Sequence, residues 1–139
     1  MNSIINISEA VSIAFHSMTY IAQQEGKPIK IKQIAEYLDS SEAHIAKILQ
    51  ILSKKGYLKS NRGRNGGFVI EKPANEINFS SIYECFEPEI CIEHCPFNKK
   101  VCQFSKCIYG DFFNDLKART KKYFSNRYLS DVLEELREN

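Results

Sequence analysis

The first part of the chain carries apolar residues at helical spacing, every three or four positions. This pattern predicts a helix over residues 7–24, with Asn6 and Glu9 forming a capping box at its start. Gly26 and Pro28 predict its end, because both residue types disfavour a continuing helix. The residues expected to face the core are Val11, Ala14, Phe15, Met18, Ile21 and Ala22.

Two shorter helices are predicted next, over residues 31–38 and 42–55. The polar residues 39–41 separate them, and their small side chains can accept the free amide hydrogens of the next helix. The apolar stripe of the second of these helices is Ile45, Ile48, Leu49 and Leu52. Its other face is polar or basic and comprises His44, Lys47, Gln50, Ser53 and Lys54. This order of a short helix, a polar turn and a second helix with a basic face is typical of a helix-turn-helix.

A β-hairpin is predicted directly after these helices, with strands at residues 57–60 and 68–70. The connecting residues 61–67 contain three glycines, which permit positive φ angles and close approach of another molecule. Arg62 and Arg64 are expected to project from the tip. A hairpin in this place is typical of the wing of a winged helix, although a plain hairpin with solvated arginines is the alternative.

Charge is distributed unevenly, although the net charge is only +2. Residues 40–70 hold six Lys or Arg and a single acid, Glu42, whereas residues 84–93 hold four Glu and no base. Such asymmetry favours a polyanion-binding face. The sequence contains no stretch suited to crossing a membrane and no signal peptide at its start, so we expect a cytoplasmic protein.

All five cysteines lie between positions 85 and 107. Four of them, Cys91, Cys95, Cys102 and Cys107, follow the pattern C-x3-C-x6-C-x4-C, and Cys85 stands six residues upstream. Thiolates suit iron–sulfur clusters and zinc, and a reducing compartment disfavours structural disulfides. The C-x2-C pairs common in zinc sites and ferredoxins do not occur. Spacing alone leaves four possibilities open: a cluster, zinc, a metal-free thiol switch, or inert thiols.

A long helix is predicted after Cys107, reaching about residue 125, and a short last helix covers residues 130–136. The long helix has a largely apolar stripe consisting of Phe112, Phe113, Leu116, Thr120, Tyr123 and Phe124. A chain this small has difficulty covering so many aromatic rings by itself. The stripe therefore packs either against a second copy or onto the first helix of the same chain. Another short helix, near residues 81–86, is expected to carry Cys85.

Taken together, several motifs resemble the Rrf2 family of bacterial transcriptional regulators, whose members include an iron–sulfur cluster regulator and a nitric-oxide-sensing repressor. The most specific are the glycine-rich wing and the cysteines downstream of it. The resemblance covers nearly the whole chain and implies a homodimer that binds an operator, often under the control of an iron–sulfur cluster. It also implies that the long helix packs against its counterpart in the partner. The matching segments are residues 14–15, 20–22, 34–35, 47–52, 62–68 and 72–74.

The sequence departs from this family at the fourth cluster ligand. Relatives use three cysteines with either a histidine, at the position of Gly110, or an N-terminal carboxylate from the partner, at the position of Ser12. Glu9 is a weak substitute for that carboxylate, and His94 is a further candidate, although a solvated histidine is the simpler interpretation. The simplest prediction is that a fourth cysteine completes the site.

We therefore predict a mostly α-helical winged helix-turn-helix with a small β-hairpin and a long C-terminal dimerisation helix. The expected divisions are a DNA-binding domain over residues 1–84, a cysteine-rich loop over 85–107, and the dimerisation and last helices over 108–139. The metal ligands are predicted to be Cys91, Cys95, Cys102 and Cys107, holding a 2Fe-2S or 4Fe-4S cluster, with zinc as the alternative. The predicted DNA contacts are Ser41, His44, Lys47, Lys59, Arg62, Arg64 and Asn65.

An enzyme is not expected, since the sequence has no nucleotide-binding loop, catalytic triad or C-x2-C redox pair. Two other interpretations remain. One is a winged-helix regulator without a cluster that uses its cysteines as a thiol switch; the other is a zinc-stabilised interaction module.

Overall fold

The computed structural model describes Ile5, residues 7–90, Cys95, Phe97 and residues 102–139. Within these residues the chain is mostly helical with one antiparallel hairpin, and no helix is long and apolar enough to cross a membrane. The elements are α1 (Glu9–Gln23), α2 (Ile31–Tyr37), α3 (Glu42–Lys54), β1 (Leu58–Asn61), β2 (Gly67–Ile70), a 3-10 turn (Ala74–Glu76), α4 (Phe79–Glu84), α5 (Phe112–Asn126) and α6 (Leu129–Glu138).

The start of α1 differs from the prediction. Ser8 is the N-cap, and its side chain accepts a hydrogen bond from the Val11 amide at 3.3 Å. The helix therefore begins at Glu9, two residues later than predicted, and the capping box led by Asn6 is wrong. Asn6 itself lies outside the described residues. Serine and asparagine are both good N-caps, so residue preference alone did not distinguish the two positions.

The helix-turn-helix matches the prediction closely. The helices α2 and α3 begin at the predicted residues and each ends one residue early. Ser41 caps α3, because its Oγ accepts the His44 amide hydrogen at 3.2 Å. Asp39, with a φ of +49°, reverses the chain between the two helices. The polar turn thus serves as a helix cap, as its composition predicts.

The hairpin gains a contact that the pattern did not predict. Ile29 forms a bridge to Phe68 in β2, with N–O distances of 3.1 and 2.8 Å for the two reciprocal hydrogen bonds. A Cβ on Gly67 would lie 2.7 Å from the Ile29 carbonyl carbon, and Gly67 has a φ of +147°. Glycine is required here because the segment before α2 lies directly against the strand.

The main core lies between α1, α2, α3 and the hairpin. Its residues are largely the apolar stripes predicted from the sequence, and the fully buried members include Ala14, Met18, Ile21, Ile34, Ile45, Leu49 and Leu52. A second cluster of buried residues lies at the other end of α1 and consists of Val11, Tyr83, Ile90 and Phe113. Phe15 contacts both clusters, so the two are continuous through α1.

The C-terminal helices pack onto the N-terminal part of the same chain. Leu129, at the start of α6, is fully buried in the main core, and its amide donates to the Ile77 carbonyl at 2.8 Å. The apolar stripe of α5 is divided. Phe113 is buried, and Phe124 packs near Phe15 with ring centroids 5.9 Å apart. For the buried Phe113, the expectation that it faces a partner is wrong, whereas Phe124 is half-buried and that expectation stays a prediction.

The other two large aromatic side chains of that stripe are open to solvent, Phe112 at 52% and Tyr123 at 61%. The helix also begins later than predicted, at Phe112. Gly110, with a φ of +58°, forms a turn immediately before it. The domain divisions at residues 84 and 107 remain predictions.

We expect Gly67→Ala to destabilise the fold by about 2–3 kcal/mol, since the new methyl group would force β2 away from Ile29. Gly63→Ala is the matched control. Its φ of +104° also disfavours alanine, but no atom lies within 4 Å of the added Cβ. The cost there should be about 1 kcal/mol. Urea denaturation followed by circular dichroism measures both values, and equal losses would contradict the proposed steric role of Ile29.

Candidate nucleic-acid interface and cysteine segment

The outer face of α3 presents three of the predicted DNA-contacting residues. The inner face of this helix is fixed in the core by Ile45, Ile48, Leu49 and Leu52. On the other side Ser41 and Lys47 are exposed and His44 is half-buried. The Ser41 hydroxyl is engaged as the helix cap, so its first role is structural. The face remains open for contact with another molecule.

The hairpin presents the remaining four residues, all of which are exposed: Lys59 lies on β1, and Arg62, Arg64 and Asn65 lie at the tip. A tight turn holds the tip, with the Gly66 amide donating to the Gly63 carbonyl at 3.0 Å. A Cβ on Gly66 would overlap the Asn61 carbonyl oxygen and other backbone atoms of the turn. The glycines therefore make the turn compact, while the charged side chains around them project outward.

Backbone hydrogen bonds join α3 directly to the hairpin. The Tyr57 amide donates to the Leu52 carbonyl at 3.1 Å, and the Gly56 amide donates to the Ser53 carbonyl at 3.0 Å. Leu58, the first residue of β1, is buried. Because only three residues separate α3 from β1, the helix face and the hairpin form one rigidly connected unit.

Among the described residues, the cations of this unit have no carboxylate partners. Ion pairs among the described residues involve Glu89, Arg127 and Arg137, and none involves Lys47, Lys59, Arg62 or Arg64. Unpaired positive charges on adjoining elements produce a positive surface potential, which attracts polyanions. We refer to α3 and the hairpin, with the seven predicted contact residues, as the basic face.

The second candidate site is the cysteine segment, defined here as residues 91–107. Cys95, Cys102 and Cys107 are exposed, and Cys91 lies outside the described residues. Within the described part of the chain, no three His, Cys, Asp or Glu side chains are grouped so that they could hold a metal ion. The donor chemistry suits an iron–sulfur cluster or zinc, but the described thiols do not form a ready-made site.

Cys85 differs from the thiols of the cysteine segment. It follows α4, which starts two residues earlier than predicted, and its side chain is half-buried against the main core. Its Sγ donates to the Ser81 carbonyl at 3.3 Å, and burial raises the pKa of the thiol. A packed thiol with a raised pKa is a poor metal ligand and a poor nucleophile.

The residues considered as a fourth ligand lie in different surroundings. Glu9 is exposed on the first turn of α1, and Ser12, one turn later, is partly buried. Gly110 forms the turn before α5 and has no ligating atom in a side chain. His94 lies outside the described residues.

One group beside the cysteine segment was not singled out in the sequence. Glu89 accepts a hydrogen bond from Lys121 with an N–O distance of 2.6 Å, and Lys117 lies 3.2 Å from the same carboxylate oxygen. These two lysines hold the pKa of the Glu89 carboxyl below its usual value. The local pattern showed only an acidic run, because the partners lie on a helix about thirty residues further along.

Comparison with known proteins places the chain in a family. Residues 7–135 match the Rrf2 family, described as an iron-dependent transcriptional regulator. A protein of Aquifex aeolicus (strain VF5), named provisionally as an HTH-type transcriptional regulator, is 26% identical over 129 residues. That match covers 91% of this chain and 90% of the relative.

Solved structures show the same fold. CymR of B. subtilis, named as the global cysteine regulator, superimposes with a TM-score of 0.73 at 21% identity and covers 94% of this chain and 97% of CymR. IscR of T. potens superimposes with a TM-score of 0.72 at 22% identity and covers 94% of this chain and 88% of IscR.

These similarities confirm the mostly helical winged-helix fold with its hairpin. The family and the named relative are transcriptional regulators rather than enzymes, as the sequence predicted. The chain belongs to the Rrf2 family of transcriptional regulators.

Proposed function

We propose that this chain acts as a homodimeric DNA-binding regulator whose operator affinity is controlled by an iron–sulfur cluster in the cysteine segment. The observation that carries the DNA-binding part is the basic face, where Lys47, Lys59, Arg62 and Arg64 are all exposed and unpaired among the described residues. Such cations are free to bind DNA phosphates without first breaking an ion pair.

The arrangement of the basic face supports specific roles. As the second helix of a helix-turn-helix, α3 is the element expected to enter the major groove. Ser41, His44 and Lys47 lie on or beside its first two turns, where side chains reach base edges or phosphates. Arg62 and Arg64 would contact the minor groove or the backbone alongside, with Lys59 and Asn65 supporting the hairpin contact.

Dimerisation is supported by the exposed side of α5. Phe112, Leu116 and Tyr123 lie at positions i, i+4 and i+11, on one side of the helix. Phe112 and Tyr123 are each more than half exposed, and exposed aromatic side chains in a row are typical of an interaction surface. The family resemblance favours a second copy as the occupant, which would place two basic faces on two half-sites.

The regulatory part rests on the cysteine segment and on the family resemblance. Free cysteine is one of the most frequently buried residue types, yet Cys95, Cys102 and Cys107 are all exposed, so packing does not account for them. We propose that these three residues and Cys91 would hold the cluster. A bound cluster would supply a centre that responds to oxygen, nitric oxide or iron supply, with a coupling of about 1–3 kcal/mol to DNA binding.

A metal-free thiol switch is the second candidate. This candidate is favoured because, in the described part of the chain, no three potential ligand side chains lie close enough together to hold a metal ion. Exposed thiols can undergo reversible oxidation without first converging on a metal. Zinc is a further alternative metal that the same four cysteines could bind.

Replacing both tip arginines by alanine should weaken operator binding and reduce its salt dependence. Each lost phosphate contact lowers the magnitude of the slope of log affinity against log salt by roughly one unit, so Arg62→Ala with Arg64→Ala should lower it by about two. Fluorescence anisotropy with a duplex selected by the wild-type protein from a random pool measures this slope. Arg137→Ala, which removes an exposed charge from α6, serves as the control. Unchanged binding by the folded double variant would contradict the role of the hairpin.

A charge placed on the open side of α5 should separate the dimer. Phe112→Glu and Tyr123→Glu change exposed side chains, so the monomer should still fold, while burial of the new charge in an interface would be costly. Analytical ultracentrifugation at micromolar concentration should show dimers for the wild type and monomers for these variants. Tyr37→Glu alters an aromatic side chain of 64% exposure on α2 and should remain dimeric. A monomeric wild type would refute the dimer.

Single alanine variants of the cysteines test the ligand set. Cys91→Ala, Cys95→Ala, Cys102→Ala and Cys107→Ala should each lose the visible absorbance of the anaerobically reconstituted protein. Cys85→Ala should keep it, because that thiol is packed against the core. Iron and sulfide analysis provides the stoichiometry. If the wild type binds only zinc or no metal, cluster control fails while DNA binding stands.

A further inference from the structure

Both ends of the cysteine segment are attached to the same part of α5. On the N-terminal side, Ile90 is 4% exposed and shares the second cluster with Val11, Tyr83 and Phe113. On the C-terminal side, the Tyr109 ring meets the Phe113 ring edge-on, with centroids 5.3 Å apart. The residues that flank the segment therefore both lie in the packing around Phe113, on the first turn of α5.

A polar contact reinforces the N-terminal attachment. The Glu89 carboxylate lies between Lys117 and Lys121, 3.2 and 2.6 Å from their amino nitrogens. These lysines are four residues apart, so they lie on one side of α5. The backbone at Glu89 is held as well, because its carbonyl accepts a hydrogen bond from the Tyr83 hydroxyl at 3.2 Å. We call Glu89, Lys117 and Lys121 the clasp.

The position of the clasp links three parts of the molecule. It stands two residues before Cys91 and binds the helix that carries the exposed Phe112 and Tyr123. The adjoining Ile90 touches the cluster that contains Val11 of α1, the helix on which the main core rests. A displacement at the start of the cysteine segment must therefore move α5 or break the clasp.

The strength of the clasp suits a reversible contact. Glu89 is 53% exposed, and exposed ion pairs are individually weak and screened by salt. A weak contact leaves the closed and open arrangements close in free energy, which is the condition for a small local event to change their populations. A merely structural contact at this place would stabilise α5 without responding to the cysteines.

We propose that Glu89 is a positioning residue that transmits the state of the cysteine segment to α5 through Lys117 and Lys121. This inference rests on the proposed function in that it assumes a state of the cysteines that alters DNA binding. It adds the route by which the change reaches the dimerisation helix. The two lysines act redundantly, since both contact the same carboxylate oxygen.

The main test compares operator affinity of cluster-loaded and cluster-free protein. We expect a ratio on the order of tenfold for the wild type. In Glu89→Gln, and in the double variant Lys117→Met with Lys121→Met, the ratio should fall to about two or three, because the packing of Ile90 remains. Each single lysine variant should keep most of it. Glu135→Gln is the matched control, because it removes an exposed carboxylate on α6 that pairs with Arg127, with the same change in charge.

A second measurement needs no metal. In a Cys85→Ala background, N-ethylmaleimide modifies only thiols of the cysteine segment, and mass spectrometry follows amide hydrogen exchange in α5. Modification should accelerate exchange over residues 113–121 by at least about threefold in the otherwise wild-type protein. The increase should be smaller in the Glu89→Gln variant, where only the apolar packing of Ile90 and Tyr109 around Phe113 still connects α5 to the segment.

The outcomes separate the two proposals. If the wild-type protein binds the operator equally well with and without the cluster, the proposed regulation is contradicted. The exchange measurement then tests the clasp by itself. If Glu89→Gln keeps the wild-type ratio of operator affinities, the role of the clasp is overturned and the proposed function is unaffected. Equal exchange responses in the wild type and in Glu89→Gln would have the same meaning. Loss of the ratio in Glu135→Gln as well would assign the effect to surface charge and overturn the inference.

Discussion

The two-sided burial of α1 is the constraint on which the rest of the structure depends. Ala14, Met18 and Ile21 lie in the main core with α3, while Val11 lies in the second cluster with residues of α4 and α5. Phe15 connects the two clusters. Close packing on both sides of one helix holds the helix-turn-helix and α5 in a defined relation, because packed interiors transmit displacement rather than absorb it.

The same packing leaves the basic face free for function. The inner residues of α3 fix its orientation in the core, and of the outer residues Ser41 also stabilises the helix as its N-cap. The hairpin is held in position by the close approach of Gly67 to Ile29, which is possible because Gly67 has no side chain. Apart from Ser41, the residues of the basic face are thus different from those that pack these elements into the core.

The cysteine segment differs from the basic face in that its described side chains are not anchored in the core. The thiols of Cys95, Cys102 and Cys107 and the aromatic ring of Phe104 are exposed, so burial contributes little to the conformation of the described part of the segment. The positions of its two ends are restrained by the packing of the flanking residues around Phe113 and by the clasp beside Ile90. Closing both ends of a chain segment at one point lowers the entropic cost of bringing groups within it together.

The sequence by itself determined the elements whose signals are local. Helical periodicity located α1, α2 and α3, the composition of residues 39–41 predicted the cap at Ser41, and the glycines predicted the hairpin turn. The tertiary structure alone decided the pairing of Ile29 with Phe68, the division of the α5 stripe between core and solvent, and the binding of Glu89 to two distant lysines. These features depend on which residues meet after folding, and periodicity carries no information about contacts between residues far apart in the chain.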